Sequence, residues 1–242
     1  MENKTQDHPP TRFSGVQTGL TLSVLLATLL IGYGLLRYPT TLTASSAGVR
    51  SLAGSVIALY AYEAIALWGA PATSRAYPAL LRMGVIGGIL IGFLFAAQML
   101  IEYLTPLTSD QDGTLAFLTF GTLFVIFFLA GLWGAKQTGR IRLGLLAALW
   151  SALVGSLIWL NLVLITYYAF NGTPQERHFL EIDQTLADFQ HSGMTDLRAF
   201  ILQDYLGGGF FHLLLSPISA LIFGSGGSLV DKVLTRLRKP FD

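Results

Sequence analysis

The sequence contains no cysteine. That absence excludes disulfides, thiolate metal sites, iron–sulfur ligation and a cysteine nucleophile, and it leaves the redox compartment open. Charge is scarce too. Asp, Glu, Lys and Arg together make up 12% of the chain, about half the share of a soluble domain. The net charge is +1, and there is no long basic arm or aromatic–basic interleaving, so no nucleic-acid partner is expected. Histidine and carboxylates show no zinc-ligand spacing, and no Gly-x-x-x-x-Gly-Lys phosphate loop occurs. No cofactor is expected.

What fills the chain instead is apolar. Hydrophobic residues make up 52% of it and fall into long runs separated by short polar stretches. A helix crosses the hydrocarbon core in about 20 residues. Six runs qualify: 16–36, 49–70 ended by Pro71, 81–104, 114–135, 141–170, and 209–229 with Pro217 inside it. Lipid leaves no water for unpaired backbone groups, so only helices or closed barrels cross it, and these runs lack the alternation of barrel strands. The expected fold is an all-α polytopic membrane helix bundle of six transmembrane helices, whose first partner is the lipid bilayer. The expected organisation is a disordered cytoplasmic tail at 1–15, spans one to five over 16–170, an extracytoplasmic helical hairpin at 171–206, span six at 207–230 and a basic cytoplasmic tail at 231–242.

Lys and Arg orient the spans. With the N-terminus inside, eleven of the fifteen basic residues fall on the inner side, and Arg37, Arg50, Arg177 and Arg198 fall outside. The positive-inside rule therefore predicts both termini in the cytoplasm, with a bacterial cytoplasmic membrane as the expected location. Tyr38, Trp68, Tyr77, Tyr103, Trp133, Tyr167 and Tyr168 at the span ends read as an interfacial belt.

The outer segment carries its own helix signals. Thr173-Pro174-Gln175-Glu176 reads as a capping box. Phe179, Ile182, Leu186 and Phe189 then recur at helical spacing, giving one amphipathic arm that His191-Ser192-Gly193 breaks. Thr195 opens the second arm, with Leu197, Phe200, Ile201 and Tyr205 on one side.

Three rows of small residues read as helix-packing surfaces: Gly84, Gly88 and Gly92; Gly144, Ala148, Ala152 and Ser156; and Ser216, Ala220, Gly224 and Ser228. The favoured reading is contact within the bundle, ahead of a homo-oligomer interface. Short similarities between the span ends also hint at an inverted repeat of three spans.

Few polar groups lie within the spans. Glu63 sits deep in span two and marks an intramembrane polar site that could relay a proton or hold a cation. Glu102, His212 and Asn161, with Gln98, fall in the outer half and could cluster beneath the hairpin. Gly224-Ser225-Gly226-Gly227 resembles an intramembrane serine-protease motif, but it lies near the inner end of the span and His212 near the outer end, too far apart for nucleophile and base. No catalytic residue is assigned. The sequence favours a structural, assembly or accessory protein that works by helix packing and by docking its hairpin on a membrane-protein partner. The alternative is a small-solute or proton-coupled transporter or channel with its site around Glu63.

Overall fold

The computed structural model describes residues 15–43 and 46–237. Six long helices carry the structure: α1 (Gly15–Arg37), α3 (Ser46–Ala76), α4 (Pro78–Leu104), α5 (Ser109–Thr138), α6 (Ile141–Ala169) and α9 (Leu197–Leu237). Three short ones complete it: α2 (Thr40–Thr43), α7 (Pro174–Ile182) and α8 (Thr185–Ser192). No strand occurs among the described residues. Each long helix is long and apolar enough to span a membrane. Large apolar side chains such as Leu29, Ile57, Phe93, Phe117 and Ile222 lie exposed on the bundle's flanks, an arrangement stable only against lipid. The chain is a multi-pass integral membrane protein. The predicted 1–15 tail lies outside the described residues except for Gly15, and so do residues 238–242 of the basic tail.

Hydrogen bonds fix the register. Asn161 Nδ2 donates to the Ser23 carbonyl at 3.0 Å and the Tyr168 hydroxyl to the Leu30 carbonyl at 2.7 Å, both at a sequence separation of 138. A constant separation means that α1 and α6 run parallel. The Ser55 hydroxyl donates to the Leu206 carbonyl and the Tyr62 hydroxyl to the Leu213 carbonyl, both at a separation of 151, so α3 and α9 are parallel as well. Gly84, Gly88 and Gly92 of α4 lie against Trp150, Val154 and Ile158 of α6 at one constant offset. Thus α1, α4 and α6 run one way, and α3, α5 and α9 the other. One end of the bundle holds α2, the α4–α5 turn, α7 and α8; the opposite end holds the start of α1 and the end of α9. We call them the hairpin end and the termini end.

The centre is α6, which packs against α1, α4, α5 and α9. Its small residues Gly144, Ala147, Ala148, Ser151, Ala152, Gly155 and Ser156 are all buried. The predicted packing rows face other helices of the same chain. Gly144 meets Ser228 and Gly131, and Gly224 meets Ala148 and Gly131. Ala220 and Ser228 are fully buried, while Ser216 is half-buried. The halves do not share one packing scheme: α5, α6 and α9 close on one another, whereas a groove of about 320 Å³ floored by α6 parts α1 from α4.

Several boundaries differ from the sequence reading. Pro71 does not end span two; α3 runs through it to Ala76, and α9 likewise runs through Pro217. Proline removes the N–H that would bond the carbonyl four residues earlier, which frees Leu67 O and Leu213 O. Gln17 Nε2 of α1 donates to Leu67 O at 3.2 Å, and the Tyr62 hydroxyl donates to Leu213 O at 2.6 Å. Each orphaned carbonyl thus receives a side chain from a neighbouring helix, so neither helix has to stop. The second arm of the expected hairpin is not separate. Residues 197–206 are the first turns of α9, which continues through Gly207, Gly208 and Gly209. Ser51 lies beside Gly207, and Leu160 and Ser55 beside Gly209, so these glycines admit close neighbours without breaking the helix. The first arm is split instead, because Gln184 adopts a left-handed φ of 62° between α7 and α8. Within the expected aromatic belt, Trp68 and Trp133 are exposed, but Tyr103 and Tyr167 are buried.

The Tyr62–Leu213 bond generates a prediction. Tyr62→Phe should lower stability by about 1 kcal/mol, measured by reversible unfolding in mixed micelles. In a Pro217→Ala background the Ala N–H can serve Leu213 O, and the cost of Tyr62→Phe should shrink. An equal cost in both backgrounds would refute the compensation.

Candidate functional site

The bundle is tight at the termini end, where glycines of α5, α6 and α9 meet. Towards the hairpin end the facing residues become large: Phe120 on α5, Trp159 on α6 and Phe95 on α4. The helices there enclose a pocket of about 390 Å³ whose lining includes Phe95, Phe120, Trp159 and His212. The His212 ring lies 3.9 Å from that of Trp159 and 5.9 Å from that of Phe120, centroid to centroid, and meets Phe95 edge-on.

Four carboxylates reach the same pocket from four places. Glu102 comes from the last turn of α4, Asp112 from the first turn of α5, Asp183 from the α7–α8 junction and Asp204 from the second turn of α9. No Lys or Arg lines it. Gln98 Nε2 donates to Glu102 Oε1 at 2.6 Å, one helical turn away, while Gln98 Oε1 is buried without a partner. Asp183 keeps part of its surface exposed, yet its pKa is raised. Partial desolvation is the largest cause; the Thr185 hydroxyl opposes it, and the charges of Asp112 and Asp188 reinforce it. Among the described residues, no three such groups are close enough to share a metal ion. The site is therefore acceptor-rich, aromatic-walled and negative.

Glu102, His212 and Gln98 come together here as the sequence suggested, but Asn161 and Glu63 do not join them. Asn161 turns to α1, donating to the Ser23 carbonyl and, at 2.9 Å, to the Ser23 hydroxyl. Glu63 also faces α1: the Thr21 hydroxyl donates to its Oε1 at 2.8 Å, while Oε2 is buried without a partner. Both belong to the seams that α1 makes with its neighbours. Asp112, Asp183 and Asp204 were visible in the sequence only as acidic residues of outer segments. Their convergence depends on the α4–α5 turn and on α9 extending back to Leu197, neither of which a hydropathy run reveals.

A second polar network holds the cover of the pocket in place. Thr173 caps α7 by accepting from the Glu176 N–H at 3.2 Å, and Glu176 Oε2 reaches back to the Gly172 N–H at 2.7 Å. The other oxygen of this buried carboxylate pairs with Arg198 of α9. Phe179 stacks on Tyr103 at 4.7 Å, and the Tyr103 and Tyr205 hydroxyls lie 3.1 Å apart. The α9 helix is capped by Asp196, where the sequence pointed to Thr195. Asp196 Oδ1 accepts from the N–H groups of Arg198 and Ala199 at 3.0 and 3.1 Å, and Oδ2 accepts from the Thr40 hydroxyl at 2.6 Å. The Thr40 bond is the main reason that the Asp196 pKa is lowered; slight burial works against it and the two backbone donors add to it. No known protein family, curated sequence or solved structure matches the chain.

The Asp196 cap has a defined pH signature. Because its pKa is depressed on folding, its contribution is present above the unfolded carboxylate pKa and is lost as pH falls through the folded value. Asp196→Ala should cost about 1 kcal/mol at neutral pH, and the gap in melting temperature from the parent should close on acidification. A gap independent of pH would contradict the assignment.

Proposed function

We propose that this chain is a solute-handling membrane protein that captures a small organic cation, a protonated amine, in the pocket at its hairpin end. The observation that carries this reading is the convergence of four carboxylates on an aromatic pocket that, among the described residues, no Lys or Arg lines and His212 is the one basic side chain to reach. Like charges gathered in a partly desolvated site repel one another, and a bound ammonium offsets that repulsion. Trp159 and Phe120 line the pocket with His212 packed against them, and an aromatic face turned to a cation attracts it by about 0.5–2 kcal/mol when water is displaced. The unpartnered Gln98 Oε1 is a free acceptor that an N–H of a protonated amine can fill.

The accessory role suggested by packing and an outer hairpin receives less support. Much of the stripe that would dock a partner is used within the chain: Phe179 and Leu186 pack against the core, with Phe179 stacked on Tyr103, and Phe189 meets Phe200. A transport site centred on Glu63 is less favoured too, since that carboxylate faces α1 and not the pocket. The charge distribution supports an orientation with both termini in the cytoplasm and the pocket open to the outside.

Binding is tested by thermal denaturation of the purified protein in detergent with an alkylamine, tetramethylammonium, sodium and potassium at matched ionic strength. The alkylamine should raise the melting temperature, and Glu102→Gln combined with Asp204→Asn should abolish the rise without lowering the ligand-free melt, since neutralising two carboxylates relieves their repulsion. Absence of any amine effect, or an effect that survives in the double variant, would sink the reading. Orientation is tested by single cysteines in this cysteine-free chain. An impermeant maleimide should label Gly113→Cys in intact cells and Gln137→Cys only after permeabilisation; the reverse pattern would invert the topology.

A further inference from the structure

The termini end carries a feature that the hairpin-end pocket leaves unused. The α5–α6 turn and the last turns of α9 enclose an open cleft of about 650 Å³. Arg140 and Arg142 line it from the turn, and Lys232 and Arg236 from α9; Asp231 is the one acidic residue in the lining. Four cations against one carboxylate leave the cleft strongly positive. Both ion pairs among the described residues are elsewhere, Arg177–Glu181 and Arg198–Glu176 at the hairpin end. The α6 helix also starts here, with Arg140 at its N-cap and no side chain capping it, so the positive end of its dipole adds to the field.

The surroundings place this charge at a membrane surface. On α9, Val233, Leu234 and Leu237 are exposed beside Lys232 and Arg236. Trp133, on the same end of α5, is 61% exposed, as expected of a tryptophan at the headgroup level. Apolar side chains facing outwards at the depth of a basic cleft match an amphiphile with an anionic head. Arg guanidinium groups bind phosphate oxygens in pairs with fixed geometry, and a cleft of this volume falls in the range of small-ligand sites.

We propose that this cleft binds a phosphate group, as presented by an anionic lipid headgroup or by free phosphate. Such a site would anchor the α5–α6 turn and the end of α9 to each other through a shared anion. It does not depend on the amine reading, since the two sites lie at opposite ends of the bundle.

The test is native mass spectrometry of the full chain released from nanodiscs of phosphatidylcholine with a minor fraction of phosphatidylglycerol. Phosphatidylglycerol should be retained in preference to phosphatidylcholine. Arg142→Gln and Arg236→Gln should each weaken retention about fivefold, the value of one basic residue at an anionic surface, and Arg142→Lys should fall between Arg142→Gln and the parent, because it keeps the charge but not the paired guanidinium bonds. Arg177→Gln, at the hairpin end, should change nothing. A gel-filtration profile like that of the parent checks that each variant is folded. Inorganic phosphate in excess separates the two sources: displacement of the lipid together with a phosphate-induced rise in melting temperature assigns the site to free phosphate, and persistence of the lipid assigns it to the headgroup. Equal retention of both lipids with no effect of phosphate, or unchanged retention in both Gln variants, would overturn the proposal.

Discussion

Every other part of the bundle depends on how closely α6 lets its neighbours approach. In lipid, helices gain little from hydrophobicity against one another, so association rests on packing and on bonds made at short backbone distance. The α6 helix presents Gly144, Ala148 and Ala152 towards α5 and α9, while Trp150, Val154 and Ile158 fill the glycine row of α4. A side chain added at Gly88 would run into Val154, and one at Gly227 into the Phe128 carbonyl. Small residues on one helix and bulky ones on the next are therefore complementary halves of the same contacts. The taper from glycine contacts at the termini end to aromatic contacts at the hairpin end is what opens the pocket.

The second constraint is the cost of an unpaired backbone group where no water reaches. Proline at 71 and at 217 frees one carbonyl in each of two long helices, and each is answered by a polar side chain from an adjacent helix, Gln17 or Tyr62. These residues look expensive in a membrane until their acceptors are identified. Ser55 bonds Leu206 O and Ser228 bonds Gly131 O across helices in the converse sense, each carbonyl supplying an acceptor for a buried hydroxyl. Much of the intramembrane polarity serves the backbone, and the buried side-chain acceptors left without a partner include Gln98 Oε1 in the hairpin-end pocket and Glu63 Oε2 beside α1.

The two ends of the molecule are electrostatic opposites. One gathers carboxylates around aromatic rings, and the other gathers guanidinium and ammonium groups beside exposed aliphatic side chains. Between them lies a tightly packed bundle. That separation suits a protein with different partners on the two faces of a membrane. It also follows from the helix order, since alternating spans send the acidic turns to one end and the basic turns to the other.

The sequence by itself determined the fold class, the number of spans and the two-ended distribution of charge. Hydropathy and the positions of Lys and Arg are properties of short segments, and lipid imposes the helix on each of them separately. It also placed Glu102, Gln98 and His212 at one depth, because depth along a helix can be counted in residues. Only the tertiary structure decided which side chains share a face and which carbonyls are rescued. Pro71 reads as a terminator until Gln17 is seen beside Leu67. Asn161 reads as a member of the outer polar cluster, and Glu63 as a lone site deep in span two, until α1 is seen to take both. Asp183 and Asp204 enter the pocket because of a left-handed Gln184 and a ninth helix that begins twelve residues before its apolar run. Rotation about a helix axis and the reach of a turn are set by packing partners distant in sequence, and no local pattern encodes them.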